Sequence, residues 1–217
     1  MFVALALLGA VNVTVAADKA AIEEAMSADG LQKTKVKGLD LAYVRPGESL
    51  AGYDKVLIDP VSVAFRKDFD PKKTGSRVRL NASELQKIRD SVGKIVHDEF
   101  VKELGKGKIA IVDGPGAGTL EVRASITDLY VNAPDTMEPG RSTTYTMNAG
   151  EMTLVMELVD SQSGQVIARV YDRREAREIG SFQVTNSVTN TAEAANAARS
   201  WARILRTRLE AARAPQG

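Results

Sequence analysis

Residues 81–104 read NASELQKIRDSVGKIVHDEFVKEL, and this stretch decides the fold. Leu85, Ile88, Val92, Ile95, Val96, Phe100 and Leu104 recur at three- and four-residue intervals, which puts one apolar stripe on a helix spanning about 82–104. Asn81 stands at the N-cap with Glu84 three residues on, an Asx version of the capping box. Gly105 and Gly107 end the run. A long helix with a single apolar stripe needs an apolar layer to cover.

That layer is written on both sides of the helix. Downstream come a short strand at 108–112, a glycine-rich turn at 113–118 and a longer strand at 119–131, with Leu120, Val122, Ala124 and Ile126 on one side. The turn-rich stretch 132–150 reads as a mobile loop with a short strand near Tyr145. Met152, Leu154, Met156 and Leu158 then alternate along one arm of a hairpin. Asp160-Ser161-Gln162-Ser163-Gly164 turns the chain, and Val166, Ala168 and Val170 form the return arm. The charged run 171–178 reads as a strand end passing into solvent. A second helix is expected over 191–212, with Ala195, Ala198, Trp201 or Ala202, Leu205 and Leu209 as its stripe. Arg199, Arg203, Arg206 and Arg208 occupy its other faces.

Upstream, 55–58 is a strand stopped by Asp59-Pro60, and Val61, Val63 and Phe65 alternate in a second extended run. Residues 31–50 read as an extended arm with a turn at Arg45-Pro46-Gly47-Glu48, and 18–30 as a short helix or a tether closed by Gly30. The expected fold is therefore α+β. A mainly antiparallel sheet packs against two long amphipathic helices as a single-domain layered sandwich over 51–212, with an N-terminal arm at 18–50 and a flexible tail at 213–217.

Residues 1–17, MFVALALLGAVNVTVAA, carry no charge, and Val15-Ala16-Ala17 precede Asp18 in an A-x-A-like cleavage pattern. They read as a signal peptide, although no Lys or Arg follows Met1. The competing reading is a buried strand, because Val11, Val13 and Val15 alternate with Asn12 and Thr14. The segment is too short and too polar for a membrane span, so none is expected in the mature chain. Export to the periplasm or the periphery of an outer membrane is expected.

Composition narrows the chemistry. The chain has 29 Lys and Arg against 28 Asp and Glu, a net charge of +1, which argues against a dominant phosphate-binding surface and a specific nucleic-acid partner. With no cysteine and one histidine, thiol nucleophiles, thiolate metal sites and histidine clusters are excluded, and no metal or cofactor is expected. The glycine-rich run 113–118 feeds a strand rather than a helix, so it reads as a tight connection and not as a phosphate cradle. His97 lies on the helix beside Val96, Asp98 and Glu99 with no nucleophile elbow in the chain, and reads as an ordinary helix residue. Asp59 with Asp68, or Asp128 with Asp160, are the carboxylates a glycosidase-like pair would use, yet Asp59 is better explained as a strand-ending turn residue and Asp160 as the start of a hairpin loop. The strongest surface feature is the basic stretch Arg66, Lys67, Lys72, Lys73, Arg77 and Arg79, interleaved with Phe65 and Phe69 and broken by Asp68 and Asp70. It reads as a solvated loop, or as an edge touching anionic lipid head groups, lipopolysaccharide, a glycan or nucleic acid; the partners expected of the chain as a whole are an envelope protein, a glycan or an anionic lipid surface.

The segments Tyr43-Val44-Arg45-Pro46-Gly47, Tyr53-Asp54-Lys55-Val56 and Asp59-Pro60-Val61 through Phe65, with the element order over 31–209, resemble a bacterial envelope lipoprotein family catalogued as domain of unknown function 3313. The resemblance implies an exported protein held at the outer membrane by a lipidated cysteine, and it brings no catalytic motif. Leu7-Leu8-Gly9-Ala10 looks like a lipobox region but no cysteine follows it. The expectation for this chain is a soluble periplasmic or secreted protein, or one attached through a partner. Its expected role is non-enzymatic binding or assembly support in the envelope; the alternative is a carboxylate-dependent hydrolase or glycan-active enzyme.

Overall fold

The Asn81 side chain accepts hydrogen bonds from the backbone N–H groups of Ser83 (2.9 Å) and Glu84 (3.1 Å), while the Glu84 carboxylate accepts from the N–H of Asn81 (2.7 Å). The expected capping box is thus complete, and it starts a helix over Ala82–Leu104. The structure is a computed structural model and describes residues 19–70, 80–132, 148–175 and 187–214. In chain order its elements are α1 (Lys19–Ser27), β1 (Gln32–Thr34), β2 (Leu41–Val44), β3 (Lys55–Ile58), β4 (Ser62–Phe65), α2 (Ala82–Leu104), β5 (Ala110–Val112), β6 (Thr119–Asn132), β7 (Asn148–Asp160), β8 (Val166–Glu175) and α3 (Ser187–Arg213).

The α+β class holds, with eight strands in one sheet and three α-helices among the described residues. The sheet runs β1-β2-β8-β7-β6-β3-β5, and β4 pairs with β6 beyond β3. Pairing is antiparallel from β1 through β6, and parallel where β3 meets β5 and β6 and where β4 meets β6. The parallel end follows from chain order: α2 and the glycine-rich turn separate these strands, which a two-residue hairpin could not join in parallel. β1 and β2 come from the stretch read as an arm, and they join the sheet through β8.

One face of the sheet carries the main core. Val56, Leu120, Val122, Ile126 and Leu154 are fully buried there, together with Val96, Phe100 and Leu104 of α2 and Ala198, Ala202 and Leu209 of α3. Among the described side chains of α3, Ala194 rather than Ala195 is the first buried one of the stripe. The opposite face has a smaller apolar cluster, in which Ile22 and Met26 of α1 meet Tyr43 and Tyr171. Helices α2 and α3 are also joined directly, Arg199 to Glu99 at 2.9 and 3.1 Å and Arg206 to Glu103 at 3.3 Å. Arg199 holds the Glu99 carboxyl below the usual carboxylate range. Lys106 and then Arg206 do the same for buried Glu103.

Of the run read as a strand end passing into solvent, 171–175 is described: Arg173 and Glu175 are exposed, as expected, but the first two residues differ. β8 continues to Glu175, and Tyr171 and Asp172 are buried. Asp172 tolerates burial because each carboxylate oxygen is met: Oδ1 by the N–H of Asp40 (3.0 Å), Oδ2 by Trp201 Nε1 (2.7 Å) and Arg174 Nε (2.6 Å). Residues 1–17, the region around Tyr145 and the tail beyond 214 lie outside the described residues.

Candidate binding cleft

Between α3 and the β2-β8-β7 part of the sheet the packing opens into a cleft of about 200 Å³. Its floor follows from strand register. Ala42 of β2 lies opposite Val170 of β8, Val44 opposite Ala168, and Met156 and Leu158 of β7 continue the two rows. An alanine thus stands once in each row where a larger side chain would reach the helix. The roof is Trp201, Ile204 and Leu205 of α3, and Val36, Leu39 and Leu50 close the ends.

Trp201 is fixed as a wall. Its indole N–H donates to Asp172, so its polar atom is turned away into the carboxylate cluster. The same cluster holds the segment 36–40 over one end. Asp40 accepts from the N–H of Arg173 (2.9 Å), and Arg174 donates to the carbonyl of Gly38 (2.9 Å). Gly38 has φ +89°, and a Cβ there would sit 3.1 Å from Ile204 Cδ1, so both conformation and space call for glycine.

Among the described residues no Asp or Glu lines the cleft, while Lys35, Arg169 and Arg208 do. Arg169 is committed elsewhere, to Glu157 (2.7 Å), Asp29 (2.6 Å) and the carbonyl of Ala28 (2.9 Å). Lys35 and Arg208 are exposed. Val44 at the rim is 39% exposed, the one large hydrophobic side chain so exposed among the described residues.

The basic residues singled out in the sequence lie apart from this cleft. Arg66 is engaged: its guanidinium binds Asp68 (2.5 Å) and Glu151 (2.9 Å) and lies 4.3 Å from the centroid of the Tyr130 ring, beside the stacked rings of Phe65 and Phe69. The Asp68 partner, above all, keeps it protonated. Lys67 is exposed. Lys72, Lys73, Arg77 and Arg79 lie outside the described residues.

The candidate carboxylates are each held locally. Asp68 is held down by Arg66. Asp160 caps the hairpin turn, accepting from the N–H of Ser163 (2.7 Å), the Ser163 hydroxyl (2.8 Å) and the Tyr53 hydroxyl (3.1 Å), which lowers its pKa. Burial and the Asp160 carboxylate push the Tyr53 hydroxyl up to about 12. Burial pushes Asp128 up; it sits at an irregular step of β6 with φ +55°. Asp59 is raised by burial and by Glu121, a carboxyl neighbour that nothing in the sequence indicated. The glycine-rich turn is structural: the carbonyl of Gly118 accepts from the N–H groups of Asp54 and Lys55 (both 3.1 Å), and Gly116 exchanges hydrogen bonds with the Ser161 hydroxyl (both 3.1 Å). His97 Nδ1 lies 3.7 Å from Asp98 on the half-exposed side of α2. Among the described residues no group of three or more His, Asp or Glu side chains is placed to hold a metal ion, and no helix is long and apolar enough to cross a membrane.

The family model of DUF3313, a protein of unknown function, matches residues 22–205. The chain belongs to the DUF3313 family. This is the family whose segments were met at 43–47, 53–56 and 59–65, and the match takes in every element of the cleft up to Leu205. No curated protein sequence matches the chain. Among solved structures, similar chains include a minor lipoprotein from Acinetobacter baumannii, 11% identical, covering 71% of this chain and 94% of its own with a TM-score of 0.34. The PelC dodecamer from Paraburkholderia phytofirmans is 13% identical, covers 78% and 94%, and has a TM-score of 0.35. A DUF330 protein from Xanthomonas campestris is 9% identical, covers 77% and 93%, and has a TM-score of 0.43.

The cleft residues were missed in the sequence for different reasons. Trp201 was placed in the helix stripe without its partner Asp172. Arg208 was grouped with three other arginines, and Lys35 fell in the arm. The one legible signal was parity, since Asp172 continues the alternate positions of Ala168 and Val170.

Proposed function

We propose that this DUF3313 chain is an exported, non-enzymatic cell-envelope protein that works by holding an apolar group of another envelope component in the cleft beneath α3. The observation that carries this reading is the cleft itself: about 200 Å³ with an apolar floor and roof. An apolar space of this order is large enough to take a small apolar group. It falls below the volume typical of pockets for drug-sized ligands and cofactors, about 300–1,000 Å³. The exposed Val44 at the rim extends the apolar surface outward.

The test places a photo-crosslinking residue at Val44 in intact cells, with Lys94 on the exposed side of α2 as control. An adduct with an envelope component at position 44, absent at position 94 and lost when Ala168→Leu fills the cleft, is expected. No adduct at 44, or one indifferent to Ala168→Leu, overturns the reading.

One observation favours the hydrolase alternative. Asp59 is raised beside Glu121, the pattern of a carboxyl able to act as an acid. Hydrolysis of an envelope glycan by the purified chain, abolished by Asp59→Asn and by Glu121→Gln separately, would establish it.

A further inference from the structure

Building on the binding reading, we propose that the cleft takes the tail of a single-chain amphiphile whose anionic head, a carboxylate or phosphate monoester, is met at the mouth by Lys35 and Arg208. The interior admits only apolar matter. Met156, Leu158, Val170 and Leu205 offer no hydrogen-bonding side chain, and the one polar atom of Trp201 is spent on Asp172. A polar group pushed inside would lose its water without a partner, at a cost of roughly 1–3 kcal/mol. The polar end of any occupant therefore stays at the mouth, and the modest volume selects one chain over two.

The exposed part of the lining carries positive charge, on Lys35 and Arg208. The other arginines of β8 and α3 are engaged: Arg169 with Glu157 and Asp29, Arg173 with Glu151, Arg174 with Asp172, Arg199 with Glu99, Arg203 with Glu103, Arg206 with Glu210 and Glu103, and Arg213 with the carbonyl of Lys108. Lys35 and Arg208 have no such ion pair or hydrogen bond among the described residues. Both line the cleft, whose lining includes no acidic residue among those described. Uncompensated cations at the opening of an apolar slot complement an anionic head with an apolar tail, the chemistry shared by a fatty acid and a single-chain lipid phosphate.

The experiment titrates the purified full chain with four probes of one tail length, each below its micelle concentration, by calorimetry. They are dodecanoate, dodecyl phosphate, dodecanol and dodecyltrimethylammonium. Expected is saturable binding of the two anions, the tighter one naming the natural head. Dodecanol should bind roughly tenfold more weakly, about 1.4 kcal/mol, and the cation more weakly still. Lys35→Gln with Arg208→Gln should erase the preference for anions and keep dodecanol binding. The preference should also shrink with salt, because exposed charges are screened over about 8 Å at physiological ionic strength. Ala168→Leu should abolish binding of all four probes, with Ala42→Leu as the second variant should the first fail to fold.

Equal affinity for dodecanoate and dodecyltrimethylammonium overturns the proposal, as does binding that survives both cleft-filling variants. If no dodecyl probe binds while position 44 still captures an envelope component, the amphiphile is wrong and the binding reading stands. If both are negative, both fall.

Discussion

Two ends of one sheet face are covered by two helices in opposite ways. Under α2 the seal is complete: Val56, Val96, Phe100, Leu104, Leu120 and Val122 are inaccessible to solvent. Gly93 brings α2 so close that a Cβ there would lie 2.7 Å from the carbonyl oxygen of Val61. Under α3 the sheet contributes Ala42 and Ala168, the helix contributes Trp201 held upright by Asp172, and a slot is left between them. Close packing is the norm for interiors, and a void forfeits contacts on the side where atoms are missing. The chain packs its core tightly under α2 and leaves a slot beside the buried Ala198, Ala202 and Leu209 of α3, so the binding proposed above and the closest packing fall under different helices.

The comparison breaks most visibly if leucines from the two ends prove equivalent. Leu104→Ala, in the sealed end, should cost about 3–5 kcal/mol, because the cavity it leaves is enclosed. Leu205→Ala should cost nearer 2 kcal/mol, since its side chain already borders open space and leaves fewer contacts behind. Urea unfolding of both variants measures the gap, and equal midpoints would mean that the slot closes in solution.

A smaller effect sharpens the account of the sealed end. Gly93→Ala gains up to about 1 kcal/mol of helix propensity, yet its methyl needs the Val61 backbone to move. A net loss of about 1–2 kcal/mol is expected. Thermal unfolding checks it, and a raised Tm would show that α2 has slack.

The capping box, the stripe of α2 and the alternation of β7 could be read directly because each is a local pattern, complete within a few residues. The hairpin turn was local too, since Asp160 satisfies Gln162 and Ser163 beside it. The cleft was not legible, because a missing volume leaves no mark in a sequence. Ala42 and Ala168 become significant only when register sets each in a row of larger neighbours. Arg208 differs from Arg199 and Arg206 only in what stands opposite it. Asp172 looked solvent-bound inside a charged run, and its partners Asp40 and Trp201 come from elements far along the chain.

The smallest expected effect concerns charge rather than packing. Asp128 is buried and its folded pKa is raised, so the folded state holds its proton more tightly than the unfolded chain does. Its ionisation then costs stability, a cost absent below the ordinary value of 3.8 and growing as pH rises through the folded value. Asp128→Asn removes that cost and suits φ +55°, which Asn tolerates. The variant should match the parent in acid and exceed it at neutral pH by up to about 1 kcal/mol. Denaturant unfolding across a pH series decides it; a difference that shrinks as pH rises would reverse the assignment.

The position of α3 in the chain has a consequence for biosynthesis. The helix that roofs the slot follows every strand it covers, and the sheet itself closes late, since Asp40 meets Asp172 across 132 residues of chain. Until residues 187–213 emerge, the apolar rows of β7 and β8 have no cover, and contacts of such long range form slowly. A nascent or truncated product ending before α3 presents sticky, half-paired strands to its neighbours, the condition under which chains aggregate or are degraded. A late nonsense or frameshift lesion that removes α3 should therefore abolish accumulation as fully as an early one.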